Sequence, residues 1–243
     1  LVRNYDYEPR LCEGTLLHTA WNDRRVIAMS DCLWGVLDGM NEDGLVVSLT
    51  FGGRRVVGDG FGVPIILRYI LEFCTTTQEA VDVLLRVPIH MAYNVTVIDR
   101  AATFRTLYLS PDRIAVVRQL PATTNHQGRV EWHAHARATA TIERERYLFS
   151  RIADGDETPS GLVGAFLSPP LHNSDFSKGF GTLYTAVYRP RRARMELLWP
   201  GRSPWTHAFA HFGEGQVDVD LPLAGHVPPL GEPALHGLPP HGA

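Results

Sequence analysis

Short runs rich in β-forming residues alternate with turn residues over much of the chain, and this pattern predicts β-strands. In the first half of the chain such runs cover residues 25–29 and 44–51. Three more runs, bounded by Asp-Arg or Pro-Asp turn signals, cover residues 92–98, 106–110 and 114–119. We expect the first two to be neighbouring strands and the last three to form an antiparallel meander.

Apolar residues at helical spacing predict helices between these strands. Two follow one another at residues 62–74 and 77–87, with Thr77 as the expected N-cap of the second. The longest predicted helix covers residues 136–152, and a shorter one covers residues 160–167.

The last periodic part of the sequence predicts a β-hairpin. Residues 182–188 and 195–199 have strand composition and flank a basic turn at residues 189–194. Because groups of strands alternate with groups of helices, we expect stacked layers in one domain over residues 1–220. Pro, Gly and His crowd residues 221–243 without periodicity, which predicts an extended tail.

Composition excludes several classes of protein. The chain has 243 residues, 44% hydrophobic and 20% charged, which suffices for the core of one large domain. Its net charge of −3 comes from interspersed charges, so we expect neither a nucleic acid nor a membrane as partner. Three widely spaced cysteines, Cys12, Cys32 and Cys74, suit neither a disulfide framework nor a zinc site, and favour a reducing cytoplasm.

A charged pair, Arg3 and Asp6, lies at the beginning of the chain on a predicted strand end. Alternate residues of a strand share a face, so Asn4 and Asp6 should lie together while Arg3 points the other way. Arg3 and Asp6 can then meet only if the backbone bends. The spacing alone leaves two interpretations open, an ordinary ion pair and a charge relay beside a reactive group.

A second group of candidate residues is the turn Thr124-Asn125-His126, followed by Arg137. A fixed side-chain amide such as that of Asn125 can donate a hydrogen bond to a developing oxyanion, although asparagine is also a common turn residue. A solvated helix face is the favoured interpretation of the arginine-rich run that begins at Arg137, and an inward orientation of this first member is left open.

The segment that precedes this run was also considered as a metal site. His133 and His135 with Glu131 could supply ligands if the segment were a strand. An exposed turn before the helix is the favoured interpretation, since no distant third ligand stands out. We expect neither a metal nor another cofactor.

Three segments in order, residues 3–7, 39–53 and 124–126, resemble the cysteine-type N-terminal-nucleophile (Ntn) amidohydrolases. That superfamily includes choloylglycine hydrolases, penicillin V acylases, acid ceramidase and the isopenicillin N acyltransferase-like peptidases, the group that the sequence resembles most. Arg137 and the strand at residues 182–188 also fit its pattern. The resemblance implies an α+β fold, a four-layer αββα sandwich of two antiparallel sheets between helical layers.

The resemblance also implies roles for individual residues. In such enzymes the nucleophile is a cysteine whose own α-amino group acts as the base. Arg3 would favour the thiolate, and Asp6 would orient the α-amine.

The oxyanion site is implied in the same way. Asn125 would donate its amide to the tetrahedral oxyanion, helped by a backbone N–H near Thr50 or Phe51. Arg137 would hold Asp6 or Asn125 in place.

The sequence departs from the family pattern at the nucleophile, which should precede Arg3 by one hairpin. No cysteine occupies that position, because the sequence begins at Leu1. Cys12 lies downstream with its amine in a peptide bond, so it cannot be its own base. We therefore expect the nucleophile upstream of Leu1, and no activity from the chain without it.

The expected function is an amidohydrolase or acyltransferase that cleaves a linear amide C–N bond through a cysteine acyl-enzyme. Its expected partner is a small acylated amide, and a homo-oligomer is left open. The alternative is a non-catalytic binding or structural protein with the same fold.

Overall fold

The computed structural model describes residues 1–221, so the predicted tail, apart from its first residue, lies outside the described residues. The strands in this part of the chain are β1 (Val2–Tyr7), β2 (Leu16–Thr19), β3 (Val26–Asp31), β4 (Gly35–Asn41), β5 (Val46–Phe51), β6 (Tyr93–Ile98), β7 (Phe104–Leu109), β8 (Val116–Arg118), β9 (Gly181–Arg189), β10 (Arg194–Leu198) and β11 (Trp205–Ala208). The α-helices are α1 (Val63–Phe73), α2 (Thr77–Arg86), α3 (His133–Ala138), α4 (Thr141–Ala153) and α5 (Pro159–Ala165).

The strands form two antiparallel sheets. The smaller sheet has the order β1-β9-β10-β11, and the larger has the order β2-β3-β4-β5-β6-β7-β8. The five strands predicted in the first half and the late hairpin, β9 and β10, are all present, but the first two, β3 and β5, are not neighbours because β4 lies between them. The pairing of β6, β7 and β8 confirms the predicted meander.

Helices cover the outer faces of the two sheets. α1 packs on β4 and β5, and α2 packs on β6 and β7. On the smaller sheet, the Asn4 side chain donates hydrogen bonds to the carbonyls of Phe166 and Leu171, just after α5. This arrangement confirms the α+β class and the αββα sandwich. None of the helices within residues 1–221 has both the length and the apolar character needed to cross a bilayer.

Strands in the middle of the larger sheet are buried on both faces. Every residue of β4 is buried, including Asp38 and Asn41. β4 was not predicted, because its glycines and polar residues hide the apolar pattern. At Gly39 a Cβ atom would lie 2.6 Å from the Cβ of Ala28, so the glycine allows two strands and α1 to approach closely.

The N-cap of the second predicted helix lies one residue earlier than predicted. Thr76, rather than Thr77, is the N-cap of α2, in a capping box with Glu79. The Thr77 hydroxyl instead donates to the carbonyl of Thr103 at 2.7 Å. This tertiary bond ties the first turn of α2 to the end of the β6–β7 hairpin.

The predicted continuous helix at residues 136–152 is wrong, because two helices occupy this segment. α3 ends at Ala138, and Ala140 adopts a left-handed conformation with φ 46° and ψ 37° before α4 begins. The side chain of Thr141, the first residue of α4, is fully buried and donates to the Thr124 hydroxyl at 2.9 Å. Burial of Thr141 against the Thr-Asn-His turn thus fixes where α4 starts, which helix periodicity could not reveal.

Candidate active site

A cavity of about 790 Å³ lies along β1 and brings together most of the candidate residues. Arg3, Asp6, Thr50, Phe51 and Asn125 all line it. Its other walls come from the segment before Asn125 and from α4 and α5.

The two charged residues of β1 lie on opposite faces of the strand. Asp6 pairs with Thr182 and Tyr5 with Tyr184, so the irregularity in the pairing adds a residue to β9 rather than to β1. The alternation along β1 is therefore kept, and Asn4 and Asp6 share the face that points to the helices. Arg3 faces the larger sheet, and it forms its ion pair with Asp38 instead of Asp6.

On the inner face of β1, Arg3, Asp38, Tyr184 and Tyr188 form a group that we call the inter-sheet cluster. Arg3 Nη1 lies 2.5 Å from Asp38 Oδ2 and 3.4 Å from the carbonyl oxygen of Leu37. The Tyr184 hydroxyl donates to Asp38 Oδ2 at 2.7 Å, and the Tyr188 hydroxyl donates to Oδ1 at 2.5 Å. The Asp38 side chain is completely buried, so these three groups replace water around it.

The protonation states of Arg3, Tyr184 and Tyr188 in the inter-sheet cluster follow from their burial and from the Asp38 carboxylate. Burial is the largest single influence on the pKa of Arg3 and lowers it, but Asp38 and the surrounding tyrosines together raise the pKa of the guanidinium above its ordinary value. Burial and then Asp38 raise the pKa of Tyr184 and Tyr188, so both hydroxyls keep their protons and act as donors. Arg3 is therefore a cation on the cavity wall at neutral pH.

On the outer face of β1, Asp6, Thr182, Asn125 and Arg144 form a group that we call the helix-side cluster. Arg144 Nη1 lies 3.1 Å from Asp6 Oδ2, and Arg144 Nη2 donates to Asn125 Oδ1 at 2.6 Å. The Thr182 hydroxyl donates to Asp6 Oδ1 at 2.6 Å. One guanidinium thus joins the predicted orienting carboxylate to the predicted oxyanion donor.

Arg137 is not part of this cluster. It is exposed on α3, and the contacts expected for it are made by Arg144 on α4. The break at Ala140 separates the two arginines. Arg144 carries a recognisable signal, because Thr141, Arg144 and Leu148 follow at helical spacing and form the inward stripe of α4.

The turn that carries Asn125 is held by hydrogen bonds from Asn94, which is completely buried in β6. Asn94 Nδ2 donates to the carbonyls of Thr124 at 2.8 Å and His126 at 2.9 Å. His126 is itself buried, with Nδ1 3.2 Å from the Thr141 hydroxyl. The turn is therefore held by both β6 and α4.

Asn125 also packs against the end of β5. Its Nδ2 donates to the Phe51 carbonyl at 3.3 Å. Gly53 follows with φ +68°, and a Cβ atom there would lie 2.1 Å from the Asn125 carbonyl oxygen. The loop after Thr50 and Phe51 can approach Asn125 only because this position is glycine.

The residues considered as metal ligands are engaged in other contacts. Glu131 accepts hydrogen bonds from Arg54 at 3.2 Å and from Arg113 at 2.6 Å. The His135 ring stacks on Trp132, with the ring centroids 5.0 Å apart. Within residues 1–221 no group of three His, Cys, Asp or Glu side chains is arranged to hold a metal ion.

The cysteines lie away from the cavity, and all three are in the described part of the chain. Burial raises the pKa of Cys12, and it raises that of Cys74 to about 11. Cys32 is exposed. None of these thiols has the position or the lowered pKa of an activated nucleophile.

Two solved structures share this fold. One is the Caenorhabditis elegans N-acylethanolamine-hydrolyzing acid amidase (NAAA) ortholog, with a TM-score of 0.58 and 18% identity over 78% of this chain and 87% of that chain. The other is penicillin V acylase from Agrobacterium tumefaciens, with a TM-score of 0.52 and 14% identity over 84% of this chain and 76% of that chain. No curated protein matches the sequence.

These two structures show the fold, and a family match over most of the chain supports the Ntn amidohydrolase superfamily that the sequence motifs implied. Residues 1–204 match the family described as acyl-coenzyme A:6-aminopenicillanic acid acyl-transferase, and the chain belongs to that family. Its relatives are hydrolases or acyltransferases that act on amides.

Proposed function

We propose that this protein is an amidohydrolase or acyltransferase that cleaves a linear amide C–N bond through a cysteine acyl-enzyme. The observation that carries the proposal is the bridge of Arg144 between Asp6 and Asn125 on the wall of a cavity that Arg3 also lines. The nucleophile we propose is a cysteine on a segment preceding Leu1, a residue that itself lines the cavity.

The proposed reaction begins with transfer of the thiol proton to the α-amine of the same cysteine, which Asp6 orients. An α-amine has an ordinary pKa near ~8, so it can accept this proton at neutral pH. The nearby charge of Arg3 stabilises the thiolate. The thiolate then attacks the amide carbonyl carbon, and a C–S bond forms as the carbonyl π electrons move to oxygen.

Asn125 is the proposed donor to that oxygen. Arg144 binds Asn125 Oδ1, and this turns the amide nitrogen away from Arg144. One N–H of Nδ2 points to the Phe51 carbonyl, and a side-chain amide has a second N–H with which to bind the oxyanion. The proposed second donor is a backbone N–H near Thr50 or Phe51.

Collapse of the tetrahedral intermediate breaks the C–N bond, and the leaving amine takes the proton from the α-ammonium group. The remaining thioester is resolved by water in hydrolysis or by a second amine in acyl transfer. The proposed substrate is a small acylated amide, and apolar residues of α4 and α5 that line the cavity, Leu148, Leu162 and Val163, support an apolar acyl group. We propose a cytoplasmic enzyme whose partners include neither a nucleic acid nor a membrane.

The N-terminus of the mature natural protein tests the proposed nucleophile directly. Mass spectrometry of the intact protein should find a cysteine as its first residue. A mature chain that begins at Leu1 would contradict the acyl-enzyme and leave the alternative of a non-catalytic protein with the same fold.

The variant Asn125→Ala tests the oxyanion role in the protein that carries this cysteine. We expect amide turnover to fall by about 10²- to 10³-fold, the usual cost of losing one oxyanion donor, with an unchanged circular dichroism spectrum. Asn22→Ala is the matched control, since Asn22 is an exposed turn asparagine outside this cavity. Equal turnover in the two variants would remove Asn125 from the mechanism.

A further inference from the structure

We propose that Asp38 is a positioning residue that holds the guanidinium of Arg3 against the cavity, with Tyr184 and Tyr188 fixing the carboxylate. This inference rests on the proposed function, in which the charge of Arg3 stabilises a thiolate. Its basis is the geometry of the inter-sheet cluster, in which residues from both sheets meet at one buried carboxylate.

The carboxylate of Asp38 has little freedom to move. Both of its oxygens accept a tyrosine hydroxyl, and Oδ2 also accepts from Arg3. Tyr184 and Tyr188 lie on β9 of the smaller sheet and Asp38 lies on β4 of the larger sheet, so these hydrogen bonds join the two sheets at the carboxylate. A buried carboxylate without such partners would carry a large desolvation penalty, so these contacts are retained together.

The carboxylate in turn selects one orientation of Arg3. Nη1 makes both hydrogen bonds of the side chain, to Asp38 and to the Leu37 carbonyl. Nε and Nη2 have no hydrogen-bond partner within residues 1–221, and the side chain lines the cavity. The ring of Tyr5 supports the guanidinium at 5.0 Å. One nitrogen therefore anchors the group, and the others remain available to a negative charge in the cavity.

A second buried ion pair between an arginine and a carboxylate lies outside the cavity and provides a comparison for Arg3 and Asp38. Arg68 and Glu72 lie one turn apart on α1 with side chains 7% and 2% exposed, at 3.3 Å. Neither residue lines the cavity. Glu72 is therefore a matched control for Asp38, since it is a buried carboxylate with an arginine partner but without contact with the proposed site.

The first test is structural and does not depend on activity. Crystal structures of the intact wild-type protein, Asp38→Asn and Glu72→Gln would be compared at the Arg3 side chain. We expect the guanidinium to leave its wild-type position in Asp38→Asn and to keep it in Glu72→Gln. An unmoved guanidinium in Asp38→Asn would overturn the proposal, whether or not the protein proves to be an amidohydrolase.

The second test measures the thiolate that Arg3 would stabilise. The rate of alkylation of the nucleophilic cysteine by iodoacetamide would be followed against pH in the same three proteins. Loss of Asp38 has two opposite consequences, because removal of its negative charge favours the thiolate, whereas displacement of Arg3 disfavours it. The proposal requires the displacement of Arg3 to have the larger effect. The pH at which alkylation reaches half of its maximal rate, the midpoint, should therefore be higher in Asp38→Asn only. A move to lower pH would show that Arg3 stays in place without Asp38 and would overturn the proposal.

Steady-state kinetics complete the comparison. We expect kcat/KM to fall by about 10- to 100-fold in Asp38→Asn, a loss typical when the partner that orients a functional group is removed. Glu72→Gln should retain wild-type kcat/KM, and an equal loss in both variants would contradict a specific role for Asp38.

If Asp38→Asn does not fold, Tyr188→Phe replaces it, because this variant removes one of the three donors to the carboxylate. It should displace the Arg3 guanidinium and raise the alkylation midpoint by a smaller amount than Asp38→Asn. An unchanged Arg3 position and midpoint in Tyr188→Phe would then overturn the proposal.

Discussion

The inter-sheet cluster and the helix-side cluster lie on the two faces of one strand, yet they are built differently. All four side chains of the first come from strands, and its carboxylate, Asp38, is fully buried. The second combines strand residues with a turn residue, Asn125, and a helix residue, Arg144. Its carboxylate, Asp6, is 19% exposed.

The functional groups of the two clusters are therefore positioned by different kinds of contact. Strand residues are positioned by the hydrogen-bonded register of the sheets, which the core enforces. Asn125 and Arg144 depend instead on tertiary contacts, namely the bonds from Asn94 and His126 and the burial of Thr141. We therefore expect the inter-sheet cluster to resist perturbation and the helix-side cluster to respond to it.

Loss of Arg144 should have the largest effect. Arg144→Ala removes both hydrogen bonds that join Asp6 to Asn125, each donated by the charged guanidinium and worth about 1.5–3 kcal/mol. We expect kcat/KM for amide cleavage to fall by about 100-fold or more, and Arg144→Lys to recover little because one ammonium cannot span both partners. Arg137→Ala is the control and should keep wild-type kcat/KM. A loss in the Arg137 variant and none in the Arg144 variant would reverse our assignment.

A pair of conservative substitutions compares the stability of the two clusters. Tyr188→Phe deprives the buried Asp38 Oδ1 of its donor, and we expect a loss of about 1–3 kcal/mol in the free energy of unfolding. Thr182→Val removes the matching donor to Asp6 and the acceptor of the Asn173 N–H, and because both partner groups are partly exposed to water we expect a loss below about 1 kcal/mol. Urea denaturation of both variants measures the difference. Equal losses of unfolding free energy would show that the difference in burial between Asp38 and Asp6 does not affect stability.

Acid should weaken the loop that packs against Asn125 of the helix-side cluster. Hydrogen bonds from Arg113, and then from Arg54, lower the pKa of Glu131 from 4.5 to about 2, and a hydrogen bond from Arg54 lowers that of Asp112. Because both values are depressed in the folded protein, their contribution to stability is present above pH 4.5 and is lost as the pH falls toward about 2. Arg54 directly follows Gly53, so the loop beside Asn125 loses its support over that range.

Unfolding measured between pH 5 and 2 tests this expectation. Glu131→Gln should have a flatter decline in stability than the wild-type protein, and the change should be small because Glu131 is partly exposed. NMR signals from residues near Asn125 should change over the same pH range in the wild-type protein. Signals that stay unchanged there down to pH 2 would contradict the loss of support.

The sequence predicted the regular elements well where the periodicity was uninterrupted, as in α1 and the meander. It failed where tertiary contacts override local preference, because Ala140 is a good helix former yet adopts a left-handed conformation. β4 was hidden because its buried Asp38 and Asn41 are polar residues satisfied by distant partners.

The same reasoning applies to the cavity. The family motifs located Arg3, Asp6 and Asn125, which the structure brings to one cavity. Asp38 could not be found from spacing, and the helical spacing that marks Arg144 as inward-facing does not show which residues it joins. Asp38 and Arg144 lie on other elements, and their contacts exist only once the sheets and α4 have packed.

The conformation of Gly53 sets a limit on how far this protein can diverge in sequence. Both its positive φ and the 2.1 Å approach of a Cβ to Asn125 exclude any side chain, so two independent constraints act on a single codon. A mutation there cannot be compensated by a change in one neighbour, because relieving the clash leaves the backbone strain. Variation among descendants of this chain should therefore accumulate on the outer helices long before it reaches this glycine.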